Sequence, residues 1–115
     1  MPASYNLYHL IAGAILARRQ VCCTFHGTPY EVCPIMLGHK AGVPYVLTWQ
    51  FAGMDEEGDF VQGRWRGLPL DEVADVRLHD GPWYAGDRQT RPKSFLDDVD
   101  LDAYSDVGAR SRLGS

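Results

Sequence analysis

Between positions 22 and 39 the chain sets out Cys22, Cys23, His26, Cys33 and His39, the side-chain types that bind soft metals or form a thiolate–imidazole pair. Their spacing suits neither chemistry well. Structural zinc sites pair their ligands about two to four residues apart, whereas Cys22 and Cys23 are adjacent and diverge to opposite faces of an extended strand. A nucleophile and base built from Cys33 with His39 or His26 requires a contact that sequence separation does not supply. The plainer reading is unliganded cysteines, buried as small apolar side chains, with no metal and no cofactor. A small Cys/His-dependent enzyme therefore ranks third among the functions considered. Asp55, Glu56, Glu57 and Asp59 read as a solvated loop. Asp97, Asp98, Asp100 and Asp102 lack the glycine turn and closing glutamate of the common calcium loop.

A second set of residues suits recognition. Arg64 and Arg66 alternate along one stretch, which puts both on the same strand face and leaves Trp65 for the core. Arginine forks match planar anionic groups, and Tyr45 or Trp49 can stack on a ring or cover methylenes. With His26 and Lys40 they make the expected ligand-binding set: Arg64, Arg66, Tyr45, Trp49, His26 and Lys40. The expected function is a non-enzymatic regulatory module that binds a ligand or a protein, its partner being another protein or a small anion. The alternative is an oligonucleotide-binding protein with Arg64 and Arg66 on phosphates. The net charge of -4 weakens that alternative, and residues 52–80 carry eight acidic side chains against three basic.

These residues need elements to hold them. The chain of 115 residues has the length of one domain. Ser4 is placed to cap a helix over residues 4–20, whose Leu7, Leu10, Ile11, Ala14 and Ile15 recur at helical spacing. From Val21 the period changes to two, with Val21, Cys23 and Phe25 on one face. Gly27 and Pro29 turn the chain into a returning strand, which Pro34 is expected to interrupt before a bend at Leu37 and Gly38. Tyr45 to Phe51 is the clearest strand, followed by an exposed acidic connection, a strand over Phe60 to Trp65 and a last one over Val73 to Leu78. The domain is thus expected over residues 1–80, with a β core at 21–80. Residues 81–115 form a C-terminal extension in which Trp83, Tyr84, Phe95, Leu96, Leu101 and Tyr104 can anchor a partly docked tail. No secretory leader pattern opens the chain, and its longest apolar helical run is far short of the roughly 20 residues of a membrane span. A cytoplasmic protein without a membrane is expected, with a homodimer formed through the helix or an edge strand.

The order helix, hairpin, proline bend, Gly-aromatic strand and closing segment resembles the WYL domain family. RQVCCTFHGTPYEVCPIMLG, GVPYVLTWQ and GRWRGLPLDEVADV carry the resemblance over roughly Leu10 to Leu78. It implies a mainly β fold with an N-terminal helix, a small Sm-like or SH3-like strongly bent sheet or partly open barrel, used for regulatory ligand sensing. Pro44 stands at the position of the family's tryptophan, Tyr45 at its tyrosine and Val46 at its leucine. Pro69 and Glu72 replace two basic residues of the family's later segment. There is no room for the second helix of a helix-turn-helix unit, so direct reading of double-stranded DNA is not expected.

Overall fold

The computed structural model describes residues 3–55 and 57–104. A helix, α1 (Ala3–Ala17), leads into β1 (Gln20–Phe25), β2 (Thr28–Lys40), β3 (Val43–Gly53) and β4 (Arg64–Pro69). A single 3-10 turn (Leu70–Glu72), β5 (Val73–His79) and β6 (Asp98–Asp102) follow. The strands form one antiparallel, strongly bent, unclosed sheet in the order β4-β3-β2-β1-β5, and β6 lies beside β2. A mainly β domain with an N-terminal helix is what the alternating and helical periods predict.

The helix stops three residues before the predicted end. Arg18 adopts φ 56°, and the amides of Arg18 and Arg19 donate to the carbonyls of Ile15 and Ala14 at 3.3 and 2.9 Å. This is the paired bonding of a left-handed helix C-terminus, here made without the usual glycine. The Arg18 guanidinium adds bonds to the carbonyl oxygens of Ile15 and, across the fold, Ala103. At the other end α1 begins one residue before Ser4, so Ser4 lies in the first turn.

Two tight turns set the hairpins. His26 and Gly27 have φ 50° and 81°, and Ala41 and Gly42 have φ 51° and 79°, the paired left-handed geometry of two-residue hairpin loops. Between these turns β2 runs unbroken through Pro34, Leu37 and Gly38, contrary to the expected interruption and bend. The reason lies in its neighbours. β1 pairs with Thr28 to Val32 and β6 with Met36 to His39, so Pro34 falls in the gap between them and its missing amide breaks neither ladder. The register with β3 shifts between Pro34 and Met36, which bends the strand there. The predicted strand over Phe60 to Trp65 starts later, at Arg64, and Phe60 keeps only an isolated bridge to Met54.

The main core gathers Ile11, Ala14 and Ile15 of α1 with Val21, Tyr30, Val32 and their neighbours on the sheet. On the other side of the sheet Met36, Leu47 and Leu96 form a second cluster, joined by Tyr45 and Phe95. Residues 81–97 supply that second side: they cross the sheet without regular structure before β6 enters it. Gln20, 5% exposed, anchors their start by donating to the Pro82 carbonyl at 2.6 Å. The Asp97 amide donates to the His39 carbonyl at 2.9 Å at their end, and Ala103 then bonds Ile35 at 2.7 Å.

β6 lies so close to β2 that only glycine fits at position 38. A Cβ there would collide with the carbonyl oxygen of Asp98 and stand 2.9 Å from its carbon, both backbone atoms that cannot rotate away. Gly38→Ala is therefore expected to cost about 1–3 kcal/mol. Denaturant unfolding would measure the loss, and amide exchange would show it first at Val99 to Ala103, with the β1–β2 hairpin retained.

Candidate binding surface

The six recognition residues do not form one pocket. Strand pairing opposes Gln50 with Arg64, Thr48 with Arg66, and Trp49 with Trp65. Since Thr48, Val32, Val21 and Leu68 line the space under α1, alternation turns Arg66 toward that interior side and the tryptophans toward the opposite one. As expected from sequence, the two arginines share one face and Trp65 packs against the core, but the arginine side is buried as well: Thr48 and Gln50 opposite them are 1% and 0% exposed.

Arg66 spends its charge within the fold. Its Nε donates to Gln50 Oε1 at 2.9 Å, its guanidinium lies 5.0 Å from the centre of the Tyr30 ring, and its backbone carbonyl accepts the Thr48 hydroxyl at 3.0 Å. Arg64, at the sheet margin, stands 3.7 Å from the Asp55 carboxylate. On the opposite side Trp49 and Trp65 meet edge to face at 5.1 Å. The Trp65 indole donates to the Asp87 carbonyl and the Thr90 hydroxyl, and Gly86 rests so close that a Cβ would come within 2.7 Å of its ring. Tyr45 packs edge to face on Phe95 at 5.8 Å, and the Lys40 ammonium sits 4.3 Å above the same ring. His26, at the tip of the first hairpin, stacks on Phe25 and bonds Glu72 at 2.5 Å. The aromatic residues that would stack on a ligand are thus covered by the 81–97 segment.

The space beneath α1 leaves a gap of about 10 Å³ lined by apolar side chains such as Leu7, Ile11, Val46 and Leu70. Small-molecule pockets occupy roughly 300–1,000 Å³, so this gap is a packing imperfection. Cys22, Cys23 and Cys33 are free thiols. Among the described residues no three His, Cys, Asp or Glu side chains are grouped to hold a metal.

The connection between β3 and β4, expected to be exposed and acidic, also displays Phe60, which the sequence reading placed in a strand. Its base is set from inside the fold: Gln50 Nε2 donates to the carbonyls of Ala52 and Met54 at 3.2 and 3.1 Å. Asp55 organises the tip. Its Oδ1 accepts the amides of Glu57 and Asp59 at 2.9 and 3.0 Å, its own amide donates to the Asp59 carbonyl, and Val61 donates back to Gly53. The Asp59 amide, with the Glu57 amide and the Arg64 guanidinium, holds the Asp55 carboxyl below its ordinary range against the opposing effect of burial. On this loop Phe60 is 83% exposed and Met54 43%, flanked by the acidic Glu57 and Asp59. A lone phenylalanine in a polar loop carries no periodic signal, so only its isolation marks it in sequence.

Comparison of the chain with protein-family models, with curated proteins and with solved structures gives no match.

This geometry has consequences that can be measured. Asp55→Ala is expected to raise amide exchange at Glu57 and Asp59 by about tenfold or more while the β1–β2 hairpin stays protected. Because the Asp55 carboxyl is depressed in the folded chain, its stabilising effect is whole above the ordinary carboxyl value of 3.8 and is lost as pH falls through the lower folded value. For the thiols, burial, with repulsion from Cys22 added, pushes Cys23 up to about 12, and burial also raises Cys33. A thiol reagent at pH 8 should label Cys22 in the folded protein and all three cysteines after denaturation. The raised Cys23 value stabilises the fold fully below about pH 9 and ceases to do so as pH climbs from 9 toward 12, which alkaline unfolding of Cys23→Ala against wild type would show.

Proposed function

We propose that this chain is a non-enzymatic protein-interaction module whose docking element is the β3–β4 loop. The observation that carries this reading is Phe60, 83% exposed and bridged to Met54 at the base of a turn organised by Asp55 and braced by Gln50. Exposed apolar side chains scattered singly are ordinary. A large aromatic on a preorganised loop is different, because the ordering cost of binding is already met and aromatic anchors supply much of the energy of protein interfaces. With Met54 beside it and Glu57 and Asp59 at its flanks, the loop suits a protein partner that offers an apolar socket with a cationic rim.

Two features favour a protein over a small anionic ligand. Arg66 is turned to Gln50 and Tyr30, Arg64 faces Asp55, and the gap beneath α1 is too small for a ligand. The same features weigh against the oligonucleotide reading, since Tyr45 and Trp49 lie under the 81–97 segment. Three free thiols suit a reducing cytoplasm. No helix among the described residues is long and apolar enough to cross a membrane.

Benzoylphenylalanine in place of Phe60, irradiated in an extract of the cells that make the protein, should yield a discrete adduct that disappears when Glu57→Lys and Asp59→Lys are added. Phe60→Ala should weaken binding of the partner so identified by about 10- to 30-fold. Adducts indifferent to the charge reversal, or none, would remove the loop as docking element. In parallel, a mixed-sequence single-stranded 20-mer at low salt should show no binding. Salt-sensitive binding that falls on replacing Arg64 and Arg66 together would instead restore the oligonucleotide reading.

A further inference from the structure

Residues 81–97 are fastened firmly at their two ends and differently between. Gln20 holds the Pro82 carbonyl at 2.6 Å; at the other end the Asp97 amide donates to the His39 carbonyl at 2.9 Å and its carboxylate accepts the Ala41 amide at 2.7 Å. Among the described residues no amide from Trp83 to Leu96 donates to a carbonyl of the sheet; that of Tyr84 donates to the Cys33 sulfur at 3.4 Å. The middle rests on side chains instead. Tyr84 lies 5.1 Å from Phe51, the Trp65 indole donates to the Asp87 carbonyl at 3.1 Å, and Phe95 covers Gly67. A stretch held by side chains without a backbone ladder opens at lower free energy than the strands beneath it.

One indole joins this stretch to the β3–β4 loop. A Cβ on Gly63, at the exit of the loop, would stand 2.6 Å from Trp49 Cζ2; a Cβ on Gly86 would stand 2.9 Å from Trp49 Cε3 and 2.7 Å from two ring carbons of Trp65. Loop and covering segment thus both press on Trp49, and neither presents a side chain there that could rotate away. We infer that residues 81–97 are a strap that lifts from the sheet while the rest stays folded, and that its closure fixes the exit of the β3–β4 loop through Trp49. Closed, the strap holds the indole against Gly63, three residues beyond Phe60; lifted, it frees the ring and with it the loop exit. The strap therefore regulates the proposed docking element, and partner affinity scales with the closed fraction. Only that consequence rests on the docking reading; the lifting does not. The coupling is reciprocal, so loosening the loop at Gly63 loosens the strap by the same factor. The two buried thiols report on the two sides of the sheet separately: Cys33, 0% exposed, lies under the strap at Tyr84, whereas Cys23, 5% exposed, lines the gap beneath α1.

In the full chain a thiol reagent at pH 8, followed by mass spectrometry after the prompt reaction of Cys22, should reach Cys33 at least about tenfold faster than Cys23. The Cys33 rate should also depend less steeply on denaturant, since lifting the strap exposes less surface than unfolding. Gly86→Ala sets a methyl group against both indoles at a residue with φ 81°; it should speed Cys33 labelling about tenfold or more and change Cys23 by less than about twofold. The same variant should raise amide exchange at Asp59 and Val61, and Gly63→Ala, pressing on Trp49 from the loop, should speed Cys33 in turn. If Gly86→Ala fails to fold, Trp65→Phe removes the bonds to Asp87 and Thr90 while keeping a ring, and should give the same pattern. Equal rates and denaturant slopes for Cys33 and Cys23, or Cys33 labelling unmoved by these variants, would overturn the strap. Loop amides unmoved while Cys33 speeds up would overturn its coupling to the loop. No partner enters these measurements, so loss of the Phe60 adduct would remove the docking reading and leave the strap standing.

Discussion

The fold depends on how one edge of β2 is shared. Its 13 residues would reach roughly 43 Å if straight, nearly the 44 Å long axis of the whole molecule. One edge carries β3 along almost the full length; the other is divided between β1 and β6. A strand can bend sharply only where its ladder is interrupted, and β2 is interrupted where Pro34 has no amide and the β3 register slips. That bend sends the first half of the strand toward the β1 hairpin and the second half under the C-terminal segment. Both coverings of the sheet follow from it: α1 on one side, residues 81–97 on the other.

Covering both sides changes what alternation means. In a sheet with one dry face, the polar member of each alternating pair points to water. Here the neighbours of Trp49 and Leu47 are also buried, so Thr48 and Gln50 must find partners inside the protein, and they do so in the Arg66 carbonyl and the Arg66 guanidinium. Buried polar groups of this kind are costly unless bonded: Thr48 and Gln50 are, whereas the Arg66 Nη2 is buried without a hydrogen-bond partner among the described residues. Gln50 donates its remaining hydrogens to the carbonyls at the root of the β3–β4 loop. The interior polar network and the loop that displays Phe60 are therefore one construction.

What sequence made legible was periodicity, and it failed where neighbours decide. The helical spacing of Leu7, Ile11, Ala14 and Ile15 located α1, and the alternation in Val21 to Phe25 and Tyr45 to Phe51 located β1 and β3. Pro34 was misread because the cost of a missing amide depends on which edge lacks a partner at that residue, which local sequence does not specify. The placement of Arg66 on the interior side was equally hidden, since a strand with aromatic residues on one face and polar ones on the other reads as half-exposed unless a distant segment is known to cover the aromatics. That segment has no periodic pattern of its own. Its anchors, Trp83, Tyr84, Phe95 and Leu96, are recognisable as apolar, but their destinations are not.

The distribution of what remains exposed then acquires a physical sense. Tryptophan, most tyrosine and most leucine side chains have been drawn into two clusters, although apolar groups elsewhere on a small protein surface would cost little. Among the described residues, four of the five large apolar side chains left outside sit on elements tied to the fold, Leu10 and Leu16 on α1 and Met54 and Phe60 on a loop anchored by Gln50; the fifth, Tyr84, lies on the irregular 81–97 segment. Apolar exposure on a fixed backbone binds without the entropy loss that a mobile segment would incur. The bend in β2 thus does more than close a core. It creates the second covering, and with it the internal bonds that fix the root of the β3–β4 loop, the proposed docking element.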